Sequence, residues 1–271
     1  MKKLFLFLIA LSFLSSDISN TYSIASWNIQ FMGNTKDDKE IAFMANQLKS
    51  FDIVGIQELI VGSNAGAKAV AKLADELNRK GAKWDYRISD PTTGEGNQRK
   101  EYAYLWKTSK ATLIGRPYLE SKYAGSIVRE PFIAQFSIGN QKIRLVNLHA
   151  VPKGKQPERE VKFLKFFPSL YPGENLIFMG DFNLSQKHTV FNPLKKKGYK
   201  PSLVNQKTSL KQKRLNNGEH LASELDNIFY DSNNIIFKSS GVVDFSTQFS
   251  TLKEAKKISD HIPIYLKFEL K

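Results

Sequence analysis

The sequence predicts an α/β protein with one domain, built of β-sheets covered by helices on their outer faces. Three observations carry this reading. Stretches with strand-like alternation outnumber stretches with helical spacing, and the two kinds are interspersed along the chain. The run Leu176-Ile177-Phe178-Met179 has no polar face, as expected for a central strand buried on both sides. No linker, repeat or low-complexity tract interrupts the chain from Thr21 to Lys271. With 271 residues, 41% hydrophobic and 24% charged, the composition is that of an ordinary globular protein and disfavours a disordered, collagen-like or polytopic membrane chain.

The first segment reads as a targeting signal. Lys2 and Lys3 form a basic start, Leu4 to Leu14 are almost purely apolar, and Ser15 and Ser16 are small residues where cleavage can fall. Eleven apolar residues are too few to span a bilayer but fit the core of a secretory signal. Residues 1–16 are therefore expected to leave on export. Residues 17–271 would then form a single secreted or periplasmic bacterial domain, monomeric and without stable membrane association.

Strands are expected at 22–27, 52–57, 84–88, 101–106, 111–114, 128–136, 142–148, 175–179, 224–230, 234–239 and 262–269. Ile41, Met44 and Leu48 have the spacing of one helical face, and so do Val70, Leu73, Ala74 and Leu77. Pro157 suits the start of a third helix over 158–167, and a fourth is expected over 189–197. The polar stretch 201–222 is the least regular and reads as a mobile loop.

Lys+Arg outnumber Asp+Glu by 40 to 26, a net charge of +14 that favours polyanionic partners. Cysteine is absent, which excludes disulfides, thiolate nucleophiles and Cys-ligated zinc. Basic residues cluster in 142–165, 195–214 and 253–257, and cations that neutralise several phosphates give salt-sensitive affinity.

The chemistry is legible at strand ends. Asn28 closes one apolar run, and Glu58 closes Asp52-Ile-Val-Gly-Ile-Gln57, where a buried carboxylate needs a cation or a donor. The buried strand at 175–179 ends in Gly180-Asp181-Phe182-Asn183, whose Asp and Asn suit a divalent metal and a phosphate. His149 ends the strand Arg144-Leu-Val-Asn-Leu. Asp226 is placed to orient an imidazole, and Asp260-His261 at the mouth of the last strand suits metal binding beside base catalysis. His188 and His220 sit in polar surroundings and read as solvated.

In this order, the segments resemble the endonuclease/exonuclease/phosphatase superfamily, and within it the deoxyribonuclease I branch. The pair Gly180-Asp181-Phe182-Asn183 and Ser259-Asp260-His261 is specific at this separation. Arg129-Glu130-Pro131, Asn147-Leu148-His149-Ala150-Val151-Pro152 and Lys100-Glu101-Tyr102 resemble motifs of that branch. The resemblance implies a four-layer α/β sandwich of two packed, mostly antiparallel mixed sheets flanked by helices, with the site at one end. It also implies Mg²⁺-dependent hydrolysis of phosphodiesters, with Mn²⁺ as an alternative ion and Ca²⁺ as a structural or synergistic one. Glu58 would be the main metal ligand, with Asn28 and Asp260 near it. Asp181 and Asn183 would hold the attacking water and the scissile phosphate, and Arg129 would contact a phosphate oxygen. His261 would pair with Asp226 and His149 with Glu101; which histidine is base and which is acid stays open. Leu59 and Arg99 depart from the branch, which places an arginine after the glutamate and an aromatic before the Glu101 position. Both departures weaken the case for minor-groove reading.

Two function classes compete on these residues. One is a secreted nuclease on DNA, with RNA also open as a substrate. The other is a lipid phosphodiesterase or phosphatase of the same fold, sphingomyelinase-like or acting on inositol phosphates. Charge does not separate them, but no aromatic hairpin suited to membrane insertion is evident.

Overall fold

A computed structural model describes residues 21–94 and 99–271, so the expected signal segment lies outside the described residues. No helix among the described residues is long and apolar enough to cross a membrane. The first sheet contains β1 (Tyr22–Met32), β2 (Ile53–Leu59), β3 (Trp84–Ile88), β4 (Glu101–Lys107), β11 (Ile235–Val242) and β12 (Ile264–Leu270), in the order β11-β12-β1-β2-β4-β3. The second contains β5 (Thr112–Leu119), β6 (Phe132–Ile138), β7 (Gln141–His149), β8 (Asn175–Asp181), β9 (Tyr199–Pro201) and β10 (Asp226–Asp231), in the order β5-β6-β7-β8-β10-β9. Among the described residues, only the β1/β2 and β7/β8 pairs are parallel.

Alternation along each strand sorts the side chains into layers. Tyr102, Tyr104 and Trp106 of β4 enter the layer between the sheets, where Ile177 and Met179 of β8 meet them. Ala103 and Leu105 face the opposite way, onto α1 (Asp38–Leu48) and α2 (Ala65–Asn78), and α6 (Leu252–Ile258) packs in the same outer layer. Leu176 and Phe178 of β8 face α3 (Glu158–Val161), α4 (Phe167–Leu170) and α5 (Asn192–Lys196) on the far side. The result is the four-layer sandwich expected above, and β8 lacks a polar face because both of its faces are covered. Helices α1 and α6 start at capping boxes, Asp37 with Glu40 and Thr251 with Glu254.

Three local expectations change. The helix over 158–167 is broken into α3, a 3₁₀ turn at Lys162–Phe166 and α4, whose Pro168 has no N–H to continue the ladder. Strand β9 and helix α6 were not evident from periodicity, because both are short. The stretch 201–222 is stitched into the fold rather than loose. Ser209 bridges to His261 and Leu210 to Leu221, and Arg214 donates to the Ser246 carbonyl at 2.7 Å.

Gly180 is dictated by packing. Its φ is +141°, and a Cβ there would lie 1.9 Å from the Leu148 carbonyl oxygen of the parallel neighbour β7. Gly180→Ala is expected to destabilise the fold by about 3 kcal/mol or more, from a forbidden φ and a backbone clash together. Urea unfolding checks this, and an unchanged midpoint would contradict the packing described.

Candidate active site

The site lies beyond the carboxyl ends of the two parallel pairs, where an open α/β arrangement leaves a crevice. Buried amides lock the two sheets together beneath it. Gln57 Nε2 donates to Asn147 Oδ1 at 2.6 Å, and Asn147 Nδ2 donates to the Ile56 carbonyl at 3.1 Å. Register then places the reactive groups: His149 of β7 is opposite Asp181 of β8, and Asp181 is opposite Asp226 of β10. His261 is delivered from the first sheet. Its carbonyl accepts from Trp27 Nε1 at 2.8 Å, and Ser259 ties its N–H to the Asn28 carbonyl.

Asp226 Oδ2 lies 2.7 Å from His261 Nδ1 and accepts from Thr208 Oγ1 at 2.6 Å. The Asp226–His261 pair expected from the sequence is therefore formed. Thr208, fully buried, holds the carboxylate from a stretch whose sequence carries no signal for that role. His261 Nε2 points toward Asp181 Oδ2 at 3.8 Å. Burial alone would lower the His261 pKa, but Asp226, Asp181 and Asp260 more than offset this and raise it to about 10. Burial and the neighbouring Asp226 charge push Asp181 up to about 7, against the pull of His261.

His149 has the opposite environment. Arg129 Nη1 lies 2.9 Å from its Nε2, and a guanidinium can only donate, so Nε2 accepts and the proton resides on Nδ1. Burial, then Arg129, His261 and Lys100, hold its pKa well below the ordinary value. His149 Nδ1 is buried with no hydrogen-bond partner among the described residues, so the expected pairing with Glu101 is not made. The reason is alternation. Lys100 reaches toward Glu58 and Tyr102 lies between the sheets, accepting from the His149 N–H at 3.2 Å. Glu101, between them, falls on the other face, where burial and Asp90 raise its pKa.

Asn28 Nδ2 donates both to Glu58 Oε1 at 3.2 Å and to Asp181 Oδ2 at 3.1 Å, while Asn28 Oδ1 is buried with no partner among the described residues. Asp260 Oδ2 accepts from Gln30 Nε2 at 3.1 Å; burial pushes its pKa up, and Glu58 adds to this. An amide oxygen without a partner among the described residues, on a side chain bonded to the carboxylates of Glu58 and Asp181, is the kind of hard oxygen donor that suits a divalent cation. Asp181, Asp226 and His261 also offer ligand atoms within 4.8 Å of one another, although Asp226 and His261 already bond each other. Asn183 donates from Nδ2 to the Ala150 carbonyl at 2.9 Å and from its N–H to Asp181 Oδ1 at 2.8 Å.

Glu58, Gln30, Phe31, Arg99, Lys100 and Arg129 line a cleft of about 510 Å³. Lys100 and Gln30 join the site through geometry that only the fold reveals. The two remaining histidines are elsewhere: His188 caps a 3₁₀ turn through Val190 N–H, and His220 is paired with Asp244 rather than solvated as expected.

A curated deoxyribonuclease from a Thioalkalivibrio strain is 28% identical over 270 residues, covering 91% of this chain and 70% of the relative. Human deoxyribonuclease gamma is 24% identical over 267 residues, covering 91% and 85%. Among solved structures, an endonuclease/exonuclease/phosphatase family protein from Bacteroides thetaiotaomicron superposes with a TM-score of 0.68 at 17% identity, covering 92% of this chain and 97% of the other. A mannosyl-6-phosphatase from the same organism superposes with a TM-score of 0.66 at 18% identity, covering 92% and 99%. The model of the endonuclease/exonuclease/phosphatase family matches residues 25–261, from the first strand through His261, and to this family the chain belongs.

Proposed function

We propose that the protein is an exported, divalent-metal-dependent endonuclease that hydrolyses phosphodiester bonds of DNA. The observation that carries this reading is the pair of buried histidines whose Nε2 atoms lie 3.5 Å and 3.8 Å from the same Asp181 carboxylate oxygen, one ring bonded to Arg129 and the other to Asp226. Relatives named deoxyribonucleases, similar over most of this chain, support DNA as the substrate.

Glu58, Asn28 Oδ1 and Asp260 would hold Mg²⁺, which supplies positive charge for the pentacovalent phosphate. Arg129 and Lys100 bind the diester anion from the cleft wall. When the anion draws Arg129 onto its oxygens, His149 Nε2 is released to accept a proton from water held beside Asp181 and Asn183. The water oxygen bonds to phosphorus as the phosphorus–oxygen bond to the leaving nucleotide breaks. His261, held as imidazolium by Asp226, delivers its Nε2 proton to the leaving oxygen. Asp226 keeps the ring oriented and its charge balanced, as in other Asp–His pairs.

Incubation with plasmid, RNA, sphingomyelin vesicles and an inositol phosphate, each with and without EDTA, tests the reading. Plasmid nicking that EDTA abolishes is expected. Turnover of lipid or inositol phosphate without plasmid cleavage would replace it with the phosphatase or lipid reading. DNA affinity is also expected to fall linearly in log–log form with salt, with a slope of about −0.9 per phosphate neutralised. Fluorescence anisotropy with labelled duplex across a salt series checks this, and salt-insensitive binding would contradict it.

A further inference from the structure

The lip of the active-site cleft carries a residue whose conformation the fold alone does not explain. Between Asn28, paired with Gln57, and Met32, paired with Leu59, strand β1 has three residues opposite the single Glu58 of β2. Ile29 is buried in the core, and Gln30 is bonded to Asp260. The third residue, Phe31, is thrown outward and is 50% exposed. Its φ is +54°, a left-handed conformation that glycine or asparagine adopts readily and a bulky aromatic does not. A strained backbone that presents a large apolar ring to water is favoured by neither propensity nor burial, and such outliers cluster at functional sites.

The placement of the ring indicates what it serves. Phe31 lines the same cleft as Glu58, Lys100 and Arg129. Lys100 Nζ lies 5.3 Å from the centre of the Phe31 ring and 3.8 Å from Glu58 Oε2. One side chain therefore separates the ring from the place where a phosphate would sit. The cleft, about 510 Å³, has the size of a small-ligand site. A flat apolar ring next to cations that bind a phosphate matches one nucleotide, with its phosphate on the cations and its base on the ring. Base faces are covered by their neighbours in a duplex and are open in single strands and at unpaired positions.

Resting on the nuclease reading above, we infer that Phe31 is a specificity-determining residue. Its ring stacks on an unstacked base bordering the scissile phosphate, so the protein favours single-stranded or locally unpaired DNA over intact duplex. Every base has a π-face, so the preference is for strandedness and not for sequence.

The test compares the wild-type protein with Phe31→Ala, Phe31→Leu and Phe31→Tyr. Each is assayed for kcat/KM on a single-stranded oligonucleotide, its blunt duplex, and the same single strand built with tetrahydrofuran abasic residues. Removing a base-stacking aromatic is expected to lower kcat/KM on the single strand about 30-fold, the middle of the range for such contacts. Phe31→Tyr should restore the rate and Phe31→Leu should not. Duplex and abasic rates should be unchanged, and the Tm of Phe31→Ala should not fall. Equal losses on all three substrates would overturn the inference in favour of a structural role in holding Lys100. Single-strand rates unaffected by Phe31→Ala, with DNA cleaved normally, would overturn it while leaving the nuclease reading intact. Failure of the wild-type protein to cleave any nucleic acid would instead overturn the nuclease reading, and this inference with it.

Discussion

His261→Ala is expected to lower kcat on plasmid DNA about 10²–10⁴-fold, the usual contribution of a positioned general acid or base. The imidazole is buried, its Nδ1 is 2.7 Å from Asp226 Oδ2, and three carboxylates hold its proton in place. Alanine removes the proton donor and leaves Asp226 with Thr208 as its remaining side-chain donor. The loss should therefore fall on kcat, with KM little changed, because Arg129 and Lys100 still bind the phosphate. His149→Ala should be comparably damaging, by removing the neutral acceptor. His188→Ala is the control, since its ring only caps a 3₁₀ turn. Steady-state nicking assays of the three variants check the assignment. A His188→Ala protein as impaired as His261→Ala would place the chemistry elsewhere.

Glu58→Gln is expected to raise the Mg²⁺ concentration needed for half-maximal activity by about 100-fold or more. Losing even an outer partner of a metal ligand costs roughly 10–100-fold in affinity, and Glu58 is proposed as a direct ligand. The substitution keeps the size and the contact with Asn28 Nδ2 but removes the charge. Glu58 has a φ of +67°, at a point where the pairing register shifts on both neighbouring strands. That backbone is unchanged by the substitution, so thermal stability without metal should be close to wild type. Magnesium titrations of activity, with isothermal titration calorimetry of Mg²⁺ binding, separate affinity from turnover. Full activity of Glu58→Gln at low Mg²⁺ would show that the cation is held elsewhere, with the Asp181, Asp226 and His261 group as the next place to look.

The fold was largely legible because alternation and apolar runs are local properties. Strand β3 coincides with the expected 84–88, and the unbroken apolar run of β8 anticipated a strand buried on both faces. The elements missed, β9 and α6, are too short for periodicity to register. The carboxylates and histidines of the site were also readable, since each stands at one end of an apolar strand, Glu58, His149 and Asp181 at its close and Asp226 and His261 at its start, where an unpaired polar group would be costly.

What the sequence by itself determined was therefore the identity of the strand-end groups and the strand that carries each one. The tertiary structure decided which of them meet, and in which state of charge. Glu101 sits next to Lys100 in the chain, yet pleating turns it to the other face and leaves His149 Nδ1 without a partner among the described residues. Thr208 reaches Asp226 across a stretch that reads as loose and polar. His149 and His261 are indistinguishable as letters, and only their surroundings divide them: burial, with Arg129 and Lys100 beside it, lowers the pKa of one, whereas Asp226, Asp181 and Asp260 outweigh burial and raise that of the other. The physical reason is that electrostatics and hydrogen bonding depend on distance in space. The bonds that build this site join residues such as Trp27 and His261, which lie 234 positions apart in the chain.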